Sequence, residues 1–144
     1  MATSEFENAL KELIELSYDI VEAYEVAIDR IESGDFRRKL NDFLLEHNYY
    51  IRKLSASLKE HNITPPDGPD VTKQRLTKGK VVLSNISGNK VILAAMSSNE
   101  TDMGTAYEKL LSLKRDDKWE DAADTVDDAL KDQQKHKVWF EVNE

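Results

Sequence analysis

The sequence predicts an all-α protein built as a bundle of four long helices. The chain has 144 residues, of which only five are glycine and three are proline, and a third are charged. This composition is typical of long helices rather than of sheet. Four stretches also repeat apolar residues at the three- and four-residue spacing of a helix face. A chain of this length can bury one core, so we expect a single domain over residues 1–144.

The helices are placed by their apolar stripes and by the residues that can begin and end them. Ser4 and Glu7 form a capping-box pattern at the start of the first helix. Gly34 can end that helix and Asp35 can cap the second, while Asp117 can begin the fourth. These signals predict helices at about 4–32, 35–61, 89–113 and 117–142.

All three prolines fall between the second and third helices. We predict residues 62–88 to be a long crossover that contains a short extra helix at about 72–86. A β-hairpin, KVVL-SNISGN-KVIL, is the alternative for part of this stretch, because β-branched runs flank a turn. The helix is favoured because a two-stranded hairpin would stand alone beside residues of helical pattern after Gly88.

One carboxylate interrupts the apolar stripe of the third helix. Glu100 stands where a methionine or leucine would be expected, within about 20° of the direction of Tyr107. A carboxylate is costly to bury without a partner. His47 and His136 lie near the centres of the stripes of the second and fourth helices, so two of the three histidines point inward. We expect them to be the partners of Glu100.

The heights of these three residues predict the helix directions. At about 1.5 Å per residue, His47 and Glu100 both lie about 20 Å from one end of the bundle. His136 comes nearest to them if the first and fourth helices run up while the second and third run down. The predicted order is therefore up, down, down, up, which requires the long crossover.

With these features the chain resembles the ferritin-like superfamily, and within it a group of small bacterial ferritin-like bundle proteins of unassigned function. The matching stretches are LIELSYD, FLLEHNYYIRKL, KGKVVLSNISGNKVIL, NETDMGTAY and QQKH. The resemblance implies a ferritin-like bundle. Di-iron members carry single glutamates on two helices and Glu-x-x-His on the other two.

Only part of the di-iron ligand set is matched in this chain. Glu100 matches one of the single glutamates, and His47 and His136 match the two histidines. Leu44 and Gln133 stand where the motif glutamates would be, and Val21 stands at about the remaining glutamate position. Three ligands are too few for a carboxylate-bridged pair of metal ions.

Three functions remain open on these residues. The first is a non-catalytic, degenerate bundle with a structural or stress-related role, in which the buried His/Glu cluster is a satisfied polar network. The second is a mononuclear iron or zinc site formed by His47, Glu100 and His136, since two histidines and a carboxylate suit either metal. The second-shell residues around these ligands would be Gln133, Tyr24 and Tyr107.

The third function is a di-iron oxidase or peroxidase, in which Glu25, Glu46 or Asp132 would supply the missing ligands. A divalent metal, iron or zinc, is thus the one cofactor that the sequence suggests. No catalytic residue is predicted, because the chain has no cysteine and no nucleophile or phosphate-binding motif.

Charge and hydropathy limit the classes of partner and the cellular compartment that can be expected. A net charge of −8 and the absence of a basic stripe argue against binding to nucleic acid or to an anionic membrane surface. No apolar run approaches the length of a membrane span, and the acidic N-terminal stretch does not resemble a signal peptide, so we expect a cytoplasmic protein. A homodimer is predicted from the apolar excess of the crossover at Val81, Val82, Leu83 and Ile86.

Overall fold

The computed structural model describes residues 4–70 and 88–143, which contain four long helices and no strand. The prediction of an all-α four-helix protein is confirmed. The third helix begins at Asn89, so Lys90–Leu93 is helical and cannot be the second run of a hairpin. A 3-10 turn leads into the fourth helix without a side-chain cap, where Asp117 was predicted as the capping residue. The helices are α1 (Glu5–Arg30), α2 (Gly34–Glu60), α3 (Asn89–Ser112) and α4 (Glu120–Asn143).

The starts of α1 and α2 are fixed by serine caps. The Ser4 hydroxyl accepts the backbone N–H of Glu7 at 3.1 Å, as the sequence predicts. At α2 the prediction was wrong by two residues, because Ser33 rather than Asp35 accepts the N–H of Phe36, at 3.2 Å. With Ser33 as cap, the Asp35 carboxylate lies in the first turn, where the helix dipole favours a negative charge.

The directions of α1 and α3 follow from contacts at two heights. Ser17 Oγ lies 3.9 Å from the sulfur of Met103, and the backbone N–H of Glu32 donates to the side chain of Asn89 at 3.0 Å. Residue numbers therefore rise along α1 as they fall along α3. The two helices pack side by side and antiparallel.

The same comparison gives the directions of α2 and α4. Glu46 contacts His136, and the His61 ring contacts the backbone carbonyl of Lys118, so these helices are also antiparallel. Arg37 near the start of α2 donates to the carbonyl of Ile31, just beyond the end of α1, and His47 packs on Tyr24, so α1 and α2 are antiparallel too. With α1 running up, the order is up, down, down, up. This is the order that the sequence predicts.

The end of α2 and the start of α3 lie at opposite ends of the bundle, as a crossover requires. The extra helix predicted at about 72–86 lies outside the described residues. So do Val81, Val82, Leu83 and Ile86, on which the homodimer prediction rests. Among the described helices, none has the length and apolar character that a membrane span needs.

The core is formed by the apolar stripes that the helical spacing identifies. Its largest fully buried side chains include Trp119, Tyr24, Tyr107, Phe6 and Phe140. Polar side chains are buried in the middle of this core rather than at its edges, and they belong to all four helices. The bundle therefore holds a polar site within its apolar core.

Candidate metal centre

Glu100 is the centre of the buried polar site. Its side chain is 0% exposed, and its Oε1 atom is contacted from each of the other three helices. The hydroxyl of Tyr24 on α1 donates to Oε1, and Nε2 of His47 on α2 lies 2.7 Å from the same atom. Nδ1 of His136 on α4 lies 3.4 Å from it. The structure thus brings together the three residues that were predicted as metal ligands.

The two histidines are held firmly in this position. The ring of Phe43 stacks on the imidazole of His136, with centroids 4.0 Å apart, and the ring of Tyr24 packs on that of His47 at 5.5 Å. Both imidazoles are almost fully buried. Ring packing of this kind restricts rotation, so each histidine keeps one nitrogen directed at Glu100.

The second carboxylate oxygen of Glu100 has no partner. Among the residues that the structure describes, buried Oε2 finds no hydrogen-bond partner, whereas Oε1 of the same group has three. A buried polar atom left unsatisfied is rare in folded proteins, and a missing ion or water is one accepted explanation. A carboxylate that meets two imidazole nitrogens through Oε1 and keeps Oε2 without a partner has the chemistry of a metal ligand.

The electrostatics of the site favour the ionised form of Glu100. Burial alone raises the pKa of this carboxyl, but the charge of His47 and hydrogen bonds from His136 and His47 outweigh burial, and the pKa lies well below its ordinary value. Burial raises the pKa of Tyr24 well above its usual range, and the charge of Glu100 adds to this effect. Tyr24 therefore stays protonated and donates to Glu100.

Glu46 is a partner of His136 that sequence reasoning did not identify in this role. Its Oε2 lies 2.5 Å from Nε2 of His136, on the opposite side of the ring from Glu100. Burial lowers the pKa of His136, but the hydrogen bonds and charges of Glu100 and Glu46 more than compensate, and the pKa is raised. Because carboxylates only accept hydrogen bonds, both ring nitrogens donate in the metal-free protein.

Gln133 holds the backbone beneath the site. Its Nε2 donates to the backbone carbonyl of Glu100 at 2.7 Å. The side chain fits because residue 104 is glycine: a Cβ atom on Gly104 would lie 2.7 Å from Oε1 of Gln133. Tyr107 is also buried, and burial followed by the charge of Glu100 raises its pKa well above the usual range. Of the three residues predicted to surround the ligands, Tyr24 and Gln133 contact Glu100 directly, and Tyr107 is influenced by its charge.

The carboxylates that a di-iron centre would need are either exposed or bound to other residues. Asp132 accepts a hydrogen bond from the hydroxyl of Tyr50 at 2.5 Å, and Glu25 is exposed on α1. Glu46 binds the far side of His136. Within residues 4–70 and 88–143, the one group of His, Asp or Glu side chains that could share a metal ion is His47, Glu100 and His136, whose ligand atoms lie within 4.8 Å of one another.

Four antiparallel helices around a buried carboxylate and two histidines define a helical bundle protein with a core that could hold a metal ion. The chain belongs to the family described as "Domain of unknown function (DUF2383)", whose model matches residues 5–113. The matched region covers α1, α2 and α3, and it includes His47 and Glu100. His136 lies on α4, beyond its end.

One solved structure, described as the crystal structure of a conserved hypothetical protein, rv2844, from Mycobacterium tuberculosis, is similar to the whole chain. The likeness covers 100% of both chains with a TM-score of 0.80 and 12% sequence identity, which supports the fold alone. No curated protein matches the chain. Neither match names the ferritin-like superfamily, so that relationship stays a prediction.

Proposed function

We propose that this bundle binds one divalent metal ion, zinc or iron, through His47, Glu100 and His136, and that the ion has a structural rather than a catalytic role. The observation that carries the proposal is the orphaned Oε2 atom of the fully buried Glu100. A cation held by the carboxylate and the two imidazoles would satisfy this atom if both carboxylate oxygens bound the ion. It would also offset the burial of the carboxylate charge.

The residues present fit such an ion. Neighbouring ligands of a tetrahedral zinc ion, each at about 2.0–2.1 Å from the metal, lie about 3.3 Å apart. Nδ1 of His136 lies at 3.4 Å from Oε1 of Glu100, whereas Nε2 of His47, at 2.7 Å, would move back by about half an ångström. The three ligand atoms lie within 4.8 Å of one another, so the atoms of His47 and His136 would also have to approach this spacing.

The contacts around the ligands also resemble those of known metal sites. Metal-binding histidines usually donate their second ring N–H to a carboxylate or a carbonyl, which fixes the orientation of the ring. Glu46 has this relation to His136. Tyr24 donates to Glu100, and Gln133 binds its backbone carbonyl, so the carboxylate is oriented as well.

A metal-free polar network is the second candidate function for these residues. It is favoured by the three contacts on Oε1 of Glu100 and by the binding of both nitrogens of His136. In that case the cluster stabilises and orders a bundle whose role is purely structural. The two candidates differ in one measurable property, which is metal affinity.

The test is calorimetric titration of chelator-stripped protein with Zn(II) and, without oxygen, with Fe(II). We expect about one ion per chain, and no measurable binding after His47→Gln or His136→Gln, because each change removes one of three ligands. Glu46→Gln should weaken binding by about tenfold, since it alters only the residue that orients His136.

His61→Gln is the matched control, because His61 is the third histidine and binds the Lys118 carbonyl outside the cluster. This variant should bind metal as the wild type does. Equal affinity in the His47, His136 and His61 variants would contradict the proposed site. No heat of binding in the wild type would favour the metal-free network.

A further inference from the structure

A groove between α2 and α4 leads from the surface to the candidate metal centre. It encloses about 740 Å³, and its lining includes His136, one of the three proposed ligands. We call it the α2–α4 groove. Four lining residues matter here. His136 and Glu46 are the buried and partly buried ones, which we call the floor, and Leu45 and Val138 are exposed ones, which we call the walls.

The members of the cluster differ sharply in exposure. The side chain of Glu100 is 0% exposed and that of His136 is 4% exposed, whereas 43% of the Glu46 side chain is exposed. Glu46 is thus the carboxylate that both faces solvent and contacts a proposed ligand. Its 2.5 Å contact with Nε2 of His136 closes the floor of the groove.

We infer that a metal ion enters and leaves the centre through the α2–α4 groove, with Glu46 as the first protein group to bind it. This inference rests on the proposed function. A divalent cation arrives with its water shell, and a partly exposed carboxylate is the kind of ligand that can replace the first of these waters. The carboxylate then turns away from His136 and passes the ion to Glu100. Nδ1 of His136 gives up its proton to water and binds the ion, and Glu46 returns to its hydrogen bond with Nε2–H.

The walls of the groove allow this turn. Leu45 and Val138 are 56% and 60% exposed, so neither is locked in the core. The charged residues Lys39, Asp42 and Lys135 also line the groove. With Glu46 they carry no net charge, and the protonated ring of His136 adds one positive charge. The charge of Glu46 itself, rather than a general negative field, is therefore what attracts a cation to this position.

The experiment measures how fast the metal is captured and released. Chelator-stripped protein is mixed with Zn(II) in a stopped-flow instrument, and zinc-loaded protein is mixed with an excess of a chromogenic chelator. Val138→Trp places a large ring in the groove without touching a ligand. We expect capture and release each to slow by about tenfold, as a barrier higher by about 1.4 kcal/mol implies.

The equilibrium affinity of Val138→Trp should stay unchanged, because a hindered route raises the barrier equally in both directions. Leu45→Trp hinders the groove from its other wall and should act in the same way if Val138→Trp folds poorly. Val91→Trp is the matched control, since Val91 is a comparably exposed valine (44%) on α3 that does not line the groove. It should leave both rates unchanged.

Comparison of Glu46→Gln with Asp42→Asn distinguishes the effect of the contact with His136 from the effect of the negative charge alone. Each removes one negative charge from the groove, but only Glu46 binds His136. Capture should slow by about tenfold in Glu46→Gln and by less than twofold in Asp42→Asn. Equal rates in the groove variants and in Val91→Trp, with zinc still bound, would overturn the entry route. A wild type that binds no zinc would overturn the proposed function and the route with it.

Discussion

Glu100→Gln should lower the free energy of unfolding of the metal-free protein by about 3 kcal/mol, because breaking one side of a buried ion pair costs about 3–5 kcal/mol. The lowered pKa of Glu100 means that the fold prefers the ionised carboxyl to a neutral one, and glutamine imitates the neutral form. For a chain of 144 residues this corresponds to a fall in Tm of about 10 °C. Thermal unfolding in the presence of chelator measures it.

Asp102→Asn is the matched control for this change. Asp102 lies two residues further along α3 and is exposed, so its loss should alter stability by less than about 0.5 kcal/mol. Added zinc should raise the Tm of the wild type and of Asp102→Asn but not that of Glu100→Gln, since binding to the folded state stabilises it. Equal Tm values for Glu100→Gln and the wild type would show that the carboxylate is not paired in the core.

The difference in stability between the wild type and Glu100→Gln should depend on pH in a direction that the pKa shifts determine. The pKa of Glu100 is lower in the folded protein than its unfolded value of about 4.3, so its contribution to stability is present above about pH 4.3 and is lost as the pH falls further. The pKa of His136 is raised, so its contribution is present below about pH 6.5 and is lost as the pH rises through the folded value. The Tm difference between wild type and Glu100→Gln, measured in chelator, should be largest between about pH 5 and 6.5.

Gly104→Ala should change the free energy of unfolding in opposite directions in two backgrounds, one with glutamine and one with alanine at position 133. In the wild type the added Cβ would lie 2.7 Å from Oε1 of Gln133 and displace the amide that binds the Glu100 carbonyl. A buried amide left without a partner costs about 1–3 kcal/mol, which exceeds the roughly 1 kcal/mol that alanine gains over glycine in a helix. We expect a net loss of about 1 kcal/mol.

In a Gln133→Ala background the same change should stabilise the protein by about 1 kcal/mol, because the three atoms nearest to the added Cβ are removed and the helix propensity of alanine then dominates. Denaturant unfolding of the four proteins gives a double-mutant cycle, with an expected coupling energy of about 2 kcal/mol. Additive effects would mean that the close approach of Gln133 to α3 does not fix the backbone at Glu100.

The meeting of His47, Glu100 and His136 could be predicted because long, regular helices convert sequence spacing into angle and height. A residue in the middle of an apolar stripe must point inward, and its height follows from the rise per residue. The same reasoning favoured the up, down, down, up order, since that order brings His136 nearer to the other two residues. Contacts between α1 and α3 and between α2 and α4 confirm this order.

The outer contacts of the site could not be predicted in the same way. Glu46 follows Leu45 on the exposed side of α2, and spacing alone assigns it to the surface. Its contact with His136 depends on the distance between α2 and α4 and on the rotamers of both side chains. The apolar pattern of one helix gives no information about either. Gly104 had no distinguishing mark either, because its role comes from the Gln133 side chain on another helix.

The prediction of the capping residue of α2 was wrong for a local reason. Ser33 and Asp35 are both good capping residues two positions apart, and the sequence offers no strong preference between them. The structure uses Ser33, which lets Asp35 occupy the first turn. A choice of this kind shifts the start of a helix by one or two residues and leaves its buried face unchanged.

The most direct test of the metal centre is the metal content of the wild-type protein, purified without chelator and without a metal-affinity column. Elemental analysis should find about one zinc or iron ion per chain, and almost none in Glu100→Gln prepared in parallel, because that variant lacks the carboxylate that two histidines and a metal would share. A wild type that contains no metal, and whose Tm is the same in excess zinc and in chelator, would contradict the metal centre.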